Sequence, residues 1–371
     1  MELFFDLVFV IAVAIAAVEL HHALTENHVL DGLISYMLVF FAIWWAWMNF
    51  TWFATSFDTD DWLYRVLTVV QMAGVLVLAA GIEPAFVDSE FVIVVLGYVV
   101  MRIAMVAQWL RASTSPTHRN TALTYATGIA VMQVLWVLFL LVPHGPAQIV
   151  GFVVLAAGEL AVPVVAERRT TTPWHPHHIT ERYGLFTIIL LGESLLASSN
   201  AIIEALRGDT ALAPLISMAV LTLVVTASLW WIYFWPPHHR AIEGSLSTSL
   251  KYGYVHYFIF AAAGAFSAGV EVEIDVLTDH SALGELAASF TVTVPIAIFV
   301  LGVWLLAIKD NADRVVNTVV PVAALLVLLD PLIPIPITLT AIVMIVIVAV
   351  LVARSPAKDT PDSSDMRNFS S

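Results

Sequence analysis

Long runs of apolar residues recur along the whole chain, and they constrain its fold more than any other feature. An α-helix needs about twenty apolar residues to cross the hydrocarbon core of a bilayer. Of the 371 residues, 60% are hydrophobic and only 12% are charged, whereas soluble domains carry roughly a quarter charged residues. No soluble fold of this size buries so much apolar surface. The sequence therefore predicts an all-α integral membrane protein held in the lipid bilayer.

Polar residues, prolines and glycines divide the chain into twelve predicted transmembrane helices. Their limits are 2–22, 31–54, 64–83, 91–111, 121–142, 147–166, 181–206, 212–235, 253–271, 285–308, 313–330 and 335–353. The first segment has no basic region before it and is longer than the apolar core of a signal peptide, so we expect a retained helix. The last residues, 355–371, are rich in Ser, Asp and Pro, which predicts a disordered tail.

The basic residues favour the count of twelve, because Lys and Arg in short loops mark the cytoplasmic side. The odd-numbered loops, on the other side of the membrane, contain only Arg207. Thirteen basic residues fall in the even-numbered loops and the C-terminal tail, namely Arg65, Arg111, Arg119, Arg168, Arg169, Arg182, Arg240, Lys251, Lys309, Arg314, Arg354, Lys358 and Arg367. We therefore expect both termini of the chain to be cytoplasmic.

Similar motifs at nearly constant spacing indicate an internal duplication. Trp44-Trp45-Ala-Trp47 resembles Trp230-Trp231-Ile-Tyr233, and Gly81-Ile-Glu83 resembles Gly269-Val-Glu271. We expect two parallel six-helix repeats, 1–166 and 181–354, joined by a cytoplasmic linker at 167–180. Because six is an even number, both repeats would face the same way, related by an axis along the membrane normal.

Polar residues inside the predicted helices are the candidate functional residues, because a charge near mid-bilayer costs roughly 3 kcal/mol or more. Arg102 is expected to form a buried ion pair with Glu159 or Glu193. The alternative is that such groups only hold helices together. The predicted solute or ion pathway comprises Asp6, Gln71, Arg102, Glu159, Glu193 and His256.

The other histidines and the tryptophans have simpler expected roles. His175, His177 and His178, like the pairs His238-His239 and His21-His22, lack a fixed-spacing metal motif, so we expect solvated loop residues and neither a metal site nor a cofactor. The tryptophans of the second and eighth helices, Trp44, Trp45, Trp47, Trp52, Trp230, Trp231 and Trp235, are expected to form an interfacial aromatic belt. The alternative is a stacking platform for a ligand or cofactor.

Several classes of function are disfavoured by what the sequence contains. The net charge of −14 leaves no basic footprint, so we expect no nucleic-acid partner. Without Cys there is no thiolate metal site and no Cys nucleophile. The sequence contains no Walker A loop, Rossmann fingerprint, zincin motif or nucleophile elbow. ATP-driven pumping by this chain alone is therefore not expected, and an enzyme is the less favoured class.

Several motifs resemble the bacterial low temperature requirement A (LtrA) family over nearly the whole chain. They are Glu2-Leu-Phe-Phe-Asp6-Leu-Val-Phe9, Trp44-Trp45-Ala-Trp47, Phe57-Asp-Thr-Asp-Asp61, Glu181-Arg182-Tyr183-Gly184-Leu-Phe-Thr187, Leu191-Gly-Glu193-Ser194, and Tyr254-Val-His256 followed by Gly269-Val-Glu271. The resemblance implies a multi-pass plasma-membrane protein of a family named for growth in the cold, and it supplies no reaction. Family members have residues before the first motif, whereas Met1 adjoins it here, which indicates a truncated or misassigned start.

Our leading hypothesis is a secondary transporter or channel-like permease for a small solute or ion, with proton coupling as one form of it. Asp6 and Glu193 would be titrating or binding carboxylates, and Arg102 would be their counter-charge. The second hypothesis is a membrane-embedded enzyme whose His and Trp clusters hold a metal, haem or lipid. The third is a membrane sensor or assembly factor that acts through the linker or the tail.

Overall fold

The computed structural model describes residues 1–168, 170–207, 212–243, 245–333 and 337–356, and within these ranges it contains α-helices and no β-strand. The predicted tail from position 357 onward lies outside the described residues, as do Arg169 and the side chain of Arg207. The all-helical prediction is confirmed for the described part of the chain.

Thirteen α-helices lie in the described ranges. They are α1 (Glu2–Thr25), α2 (Val29–Phe57), α3 (Trp62–Ala80), α4 (Ile82–Val87), α5 (Val92–Ala112), α6 (Arg119–Phe139), α7 (Pro146–Ala166), α8 (Pro176–Arg207), α9 (Leu212–Phe234), α10 (Leu246–Leu277), α11 (Glu285–Val303), α12 (Arg314–Val327) and α13 (Thr338–Ala353). A π-helical turn, Trp304–Ile308, continues α11. Short 3-10 turns lie at His238–Ala241 and Asp330–Leu332.

Ten of these helices are long and apolar enough to cross a membrane. The two exceptions among the predicted spans are α12 and α13, with 14 and 16 residues. At 1.5 Å per residue these helices measure only about 21 and 24 Å, less than the roughly 30 Å of a hydrocarbon core. Twelve predicted spans thus correspond to twelve helices in order, with ten confirmed as candidate membrane spans.

Asp330 explains why the last two helices are short. The helix α12 ends at Val327, and Asp330 begins a 3-10 turn. Asp330 Oδ2 then accepts hydrogen bonds from the backbone N–H of Thr340, at 3.1 Å, and from its hydroxyl, at 2.5 Å. A carboxylate that accepts from a free N–H in the first turn stabilises a helix start. The predicted helix 313–330 therefore ends early, because its last residue caps the next helix.

Side-chain caps also fix helix starts at the predicted cytoplasmic end. Asp61 accepts from the Tyr64 N–H at 2.9 Å at the start of α3. The Arg111 guanidinium, together with this N–H, lowers the pKa of Asp61 to about 2. Ser245 and Thr248 form a reciprocal capping box at the start of α10. Helices that begin at capped polar residues place their free N–H groups where water and loops can satisfy them.

Glycines bring two helix pairs into close contact. A Cβ added at Gly74 of α3 would lie 2.8 Å from the Gly97 carbonyl oxygen of α5. A Cβ added at Gly269 of α10 would lie even closer to the Thr291 carbonyl oxygen of α11. The first pair joins the third and fourth predicted spans, and the second joins the ninth and tenth. This parallel agrees with a duplication, which remains a prediction.

The two halves of the chain share a central interface. Helices α1 and α2 of the first half contact α8 and α10 of the second. The Tyr36 hydroxyl donates to the Ala261 carbonyl, and the Tyr257 hydroxyl donates to the Met37 carbonyl, both at 2.8 Å. These bonds join α2 of the first predicted repeat to α10 of the second. The two predicted repeats therefore meet at these helices.

Candidate functional site

The tryptophan motif of α2 lies in the centre of the protein. Trp44, Trp45 and Trp47 are exposed by only 2%, 0% and 0%, so the prediction of an interfacial belt is wrong for these residues. The corresponding Trp230 and Trp231 of α9 are exposed by 43% and 41%, as a belt requires. The difference arises because other helices surround the motif segment of α2 and because two of its indole N–H groups have buried acceptors.

Asp6 is the first of these acceptors and is fully buried. Its carboxylate accepts from Trp47 Nε1 at 2.7 Å, from Arg182 Nη2 at 2.5 Å and from Arg182 Nε at 3.2 Å. A guanidinium that donates twice to one carboxylate forms a strong and strongly oriented ion pair. The pair links α1 of the first half to α8 of the second half, with α2 as the third partner.

Arg182 is the candidate functional residue that the sequence reasoning missed. We counted it among the cytoplasmic loop residues, but it lies inside α8 and is only 2% exposed. The positive-inside rule assigns a basic residue to the nearest loop and cannot detect a buried acid on another helix. A usable signal was its position in a motif directly after Glu181 and four residues after His178, near the start of a long helix.

Glu2 and His178 extend the network from Asp6 toward the helix ends. Arg182 Nη1 lies 3.4 Å from Glu2 Oε2, and His178 Nε2 lies 2.8 Å from the same oxygen. Glu2 Oε1 and Arg182 Nη1 are buried and have no hydrogen-bond partner among the residues that the structure describes. Buried polar atoms without partners are rare in proteins and often mark functional positions. Arg182 thus lies between two carboxylates of α1, with unused hydrogen-bonding capacity.

Glu159 of α7 is the second acceptor and is 1% exposed. It accepts from Trp45 Nε1 at 2.9 Å and from Trp136 Nε1 at 3.2 Å. Arg102 Nη2 lies 3.5 Å from Glu159 Oε2, and the same Nη2 donates to the Tyr98 hydroxyl at 2.5 Å. Of the two partners expected for Arg102, the structure therefore selects Glu159. All of these groups belong to the first half.

Gln71 and His256 have neutral partners. Gln71 Nε2 donates to Gln108 Oε1 at 2.8 Å and holds α3 against α5. His256 is fully buried between the Tyr252 carbonyl, 2.8 Å from Nδ1, and the Tyr233 hydroxyl, 2.9 Å from Nε2. The first contact requires an Nδ1–H donor, so Nε2 accepts from Tyr233. Each side chain serves helix packing in this arrangement.

An aromatic path joins His256 to the Asp6 network. The Tyr183 ring lies 4.6 Å from the His256 ring and 4.9 Å from the Trp47 ring, measured between centroids. Trp47 in turn donates to Asp6. Two of the predicted pathway residues, Asp6 and His256, are therefore brought into one connected cluster between the halves.

Glu193 lies apart from both ion pairs, and it is half-buried. Its neighbour Ser194 is buried and forms a hydrogen bond with Thr226 at 2.9 Å, so the two residues face different sides of α8. The charged group that acts on Glu193 electrostatically is Glu271 of α10. Glu193 therefore belongs with Glu271 to an acidic region that lies toward the predicted outer end of the bundle.

His21 is a member of the same acidic region. Its Nδ1 lies 3.1 Å from Glu271 and its Nε2 lies 2.6 Å from Asp275, with 14% of its side chain exposed. The prediction of a solvated loop residue is wrong for His21, because α1 continues to Thr25 and carries this side chain against α10. The sequence contained no spacing that could connect residues 21 and 275.

His238 is also buried, although it was predicted to be solvated. It is 8% exposed, and its Nε2 lies 2.6 Å from the Tyr233 carbonyl. Burial lowers the pKa of His238 to about 4.

The next residue, His239, lies on the more exposed side, where His177, His239 and Glu243 each have a ligand atom within 4.8 Å of the others. Among the described residues, these three could hold a metal ion.

The apolar helices with ion pairs buried between them define a multi-pass membrane protein. The chain belongs to the bacterial low temperature requirement A (LtrA) family, whose family model matches residues 1–353. This match confirms the family that the motifs predicted. The chain is also similar to the uncharacterised protein RA0937 of Rhizobium meliloti (strain 1021), with 28% identity over 259 residues. The alignment spans 67% of this chain and 61% of that relative.

Proposed function

We propose that the protein is a secondary transporter or permease of the plasma membrane that moves a small solute or ion, with proton coupling at Asp6. The observation that carries this proposal is the Asp6–Arg182 ion pair, buried between α1 of one half and α8 of the other. Ionisable groups inside a membrane protein are costly and usually functional. Transporters built from repeats have their coupling sites where the repeats meet.

Arg182 supplies a way for protonation to change the contact between the halves. While Asp6 is ionised, Arg182 donates to it twice and holds α8 against α1. A proton on Asp6 removes the negative charge and leaves Arg182 with Glu2, 3.4 Å away. Arg182 Nη1 and Glu2 Oε1 have no hydrogen-bond partner in the described arrangement, so both can form new bonds after such a shift.

The other predicted residues take different roles in this proposal. Arg102 is the counter-charge of Glu159 at 3.5 Å, so Arg182 replaces it as the counter-charge of Asp6. Because the described partners of Glu159 all lie in the first half, that cluster would move as a unit when the halves rock. Glu193, which interacts electrostatically with Glu271 on the predicted outer side, would meet a cation before it reaches the central pair.

The test is transport in proteoliposomes that contain the purified protein. With a pH gradient across the vesicle membrane, we expect uptake of at least one member of a broad panel of ions and small solutes. Asp6→Asn should abolish the dependence on the gradient. Asp31→Asn is the matched control, because Asp31 is exposed in the first turn of α2. If the wild-type protein moved no member of the panel under any gradient, the proposal would be overturned.

A second variant separates coupling from folding. Asp6→Asn alone removes the closer carboxylate and leaves buried Arg182 with Glu2, 3.4 Å away; losing one partner of a typical buried ion pair costs about 3–5 kcal/mol. The double variant Asp6→Asn/Arg182→Gln removes both charges and keeps similar side-chain volumes. We expect this variant to elute as a folded monodisperse protein without gradient-driven uptake. Gradient-driven uptake at the wild-type rate would contradict proton coupling at Asp6.

A further inference from the structure

A cavity lies at the end of the bundle that adjoins the linker 167–180. Its interior offers about 40 Å³ of water-accessible space, enough for about three water molecules or a group of similar size, and it opens to the surface at a mouth. The last turns of α2, α5 and α7, the first turns of α6 and α10, and the linker itself line this cavity. We call it the linker cavity. It therefore lies between the two halves, on the predicted cytoplasmic side.

Aromatic side chains dominate the wall of the linker cavity. They are Trp52, Trp109, Tyr125, Trp174 and Tyr254. Trp52 and Trp174 meet edge to face at 5.5 Å, whereas Trp109 and Tyr125 stack at 4.1 Å. Aromatic faces carry negative electrostatic potential, and several of them around one space attract an alkylated ammonium group.

Glu167 gives the linker cavity a carboxylate. It is 6% exposed and lines the cavity from the end of α7. It accepts from the Thr172 N–H at 2.7 Å and from the hydroxyls of Thr172 and Tyr125, both at 2.9 Å. Burial raises the pKa of Glu167, and the donated hydrogen bonds oppose that rise. Among the described residues, no Lys or Arg forms an ion pair with Glu167.

Trp109 adds a hydrogen-bond donor to the same wall. It is 4% exposed, and no group in the described part of the chain accepts a hydrogen bond from its Nε1. A buried indole N–H normally has an acceptor. A ligand with a hydroxyl or carbonyl oxygen close to its cationic group would supply that acceptor.

We propose that the linker cavity binds a small quaternary ammonium compound, with its cationic group among Trp52, Trp174 and Tyr254 and near the Glu167 carboxylate. An alkylated ammonium fits an aromatic wall better than a primary ammonium, because it is weakly hydrated and has no N–H donors to satisfy. This site is distinct from the Asp6 network. It stands whether or not the chain transports anything, because its test measures binding alone.

Radiolabelled choline is the probe for this site. The protein is reconstituted in phosphatidylglycerol nanodiscs, which contain no choline headgroup, and binding is measured by scintillation proximity at mildly alkaline pH. We expect saturable binding that tetramethylammonium displaces. The neutral isostere 3,3-dimethyl-1-butanol should compete at least about tenfold more weakly, since it lacks the charge. Absence of saturable binding, or equal competition by the neutral isostere, would overturn the proposal.

Three variants locate the binding in the linker cavity. Glu167→Gln and Trp174→Leu should each weaken choline binding about tenfold. Tyr125→Phe removes a hydrogen bond to Glu167 but keeps the ring and the charge, and it should bind within about threefold of the wild type. Trp231→Leu is the control for losing a partly exposed tryptophan elsewhere. Unchanged affinity in both Glu167→Gln and Trp174→Leu would place any binding outside this cavity.

The same cationic group occurs in free choline and in phosphatidylcholine. Nanodiscs made with phosphatidylcholine distinguish these sources, because a lipid headgroup that occupies the cavity should displace radiolabelled choline. Displacement identifies the lipid as a ligand, and its absence identifies the free compound. Both results support the site. If phosphatidylcholine displaced choline from the Trp174→Leu variant as well as from the wild type, the lipid would act outside the linker cavity. That result would contradict the site.

Discussion

Trp45 and Trp47 lie two residues apart on α2 and donate to two different buried carboxylates, Glu159 at 2.9 Å and Asp6 at 2.7 Å. Two residues correspond to about 200° around a helix, so the two indoles point to nearly opposite sides. One turn of α2 therefore separates the Arg102–Glu159 pair of the first half from the Asp6–Arg182 pair between the halves. Any movement of this turn acts on both ion pairs.

Trp47→Phe should destabilise the protein because Asp6 loses a charge-assisted hydrogen bond while it remains buried. The expected loss is about 1–3 kcal/mol, the usual range for a buried acceptor that loses its donor. Thermal unfolding in detergent, followed by circular dichroism, measures it. Trp230→Phe is the matched control, since Trp230 is 43% exposed and should unfold within a degree or two of the wild type. Equal midpoints for the two variants would contradict the role of this bond.

Arg102 and Glu159 should show strong coupling in a double-mutant cycle. Either single change, Arg102→Met or Glu159→Leu, leaves one charge buried at 1% exposure, which costs about 3–5 kcal/mol. The double variant removes both charges and should be more stable than either single variant. Unfolding midpoints of the four proteins give the coupling energy. Additive losses would show that the two side chains do not act as a pair.

The sequence predicted which polar residues are buried better than it predicted their partners. Long apolar segments fixed the helices, since backbone groups in lipid must be satisfied within the segment. Arg102 lies well inside its segment, so its ion pair with an acid was foreseeable. Arg182 lies near a helix start, where charge patterns look like those of a loop. The helices that surround Arg182 come together by packing between segments that are far apart in the chain. No spacing in a single sequence reveals that packing.

The tryptophans illustrate the same limit. Trp44-Trp45 and Trp230-Trp231 are alike in sequence, yet one pair is buried and the other is exposed. Both patterns fit an interfacial belt when only one helix is considered. The environment is decided by α8 and α10, which contact α2. The local sequence pattern therefore predicts the helix, whereas packing against other helices determines whether its tryptophans are buried.

Gly74→Ala should disrupt the contact between α3 and α5. The added Cβ would lie 2.6 Å from Met101 Cγ and 2.8 Å from the Gly97 carbonyl oxygen, and the helices would have to separate. We expect a loss of at least about 1–3 kcal/mol from overpacking. Gly192→Ala on α8 is the control, because among the described residues no side chain or neighbouring helix comes within 4 Å of its added Cβ. Helix propensity should leave that variant as stable as the wild type or up to about 1 kcal/mol more stable. Folded yield and unfolding midpoint distinguish the two, and similar midpoints would contradict the close packing.

Acid should destabilise the protein through His238, whose pKa burial lowers from about 6.5 to about 4. Between about pH 4 and pH 6.5, the unfolded chain binds a proton at this histidine and the folded protein does not. The stability that neutral His238 contributes is therefore complete above pH 6.5 and is lost as the pH falls toward 4. A difference of this size corresponds to about 3 kcal/mol at most. Unfolding midpoints recorded between pH 8 and pH 4.5 should therefore fall more steeply for the wild type than for His238→Gln. The exposed His175 provides the control, since His175→Gln should keep the steep wild-type profile. Parallel profiles for the wild type and His238→Gln would show that other groups cause the acid sensitivity.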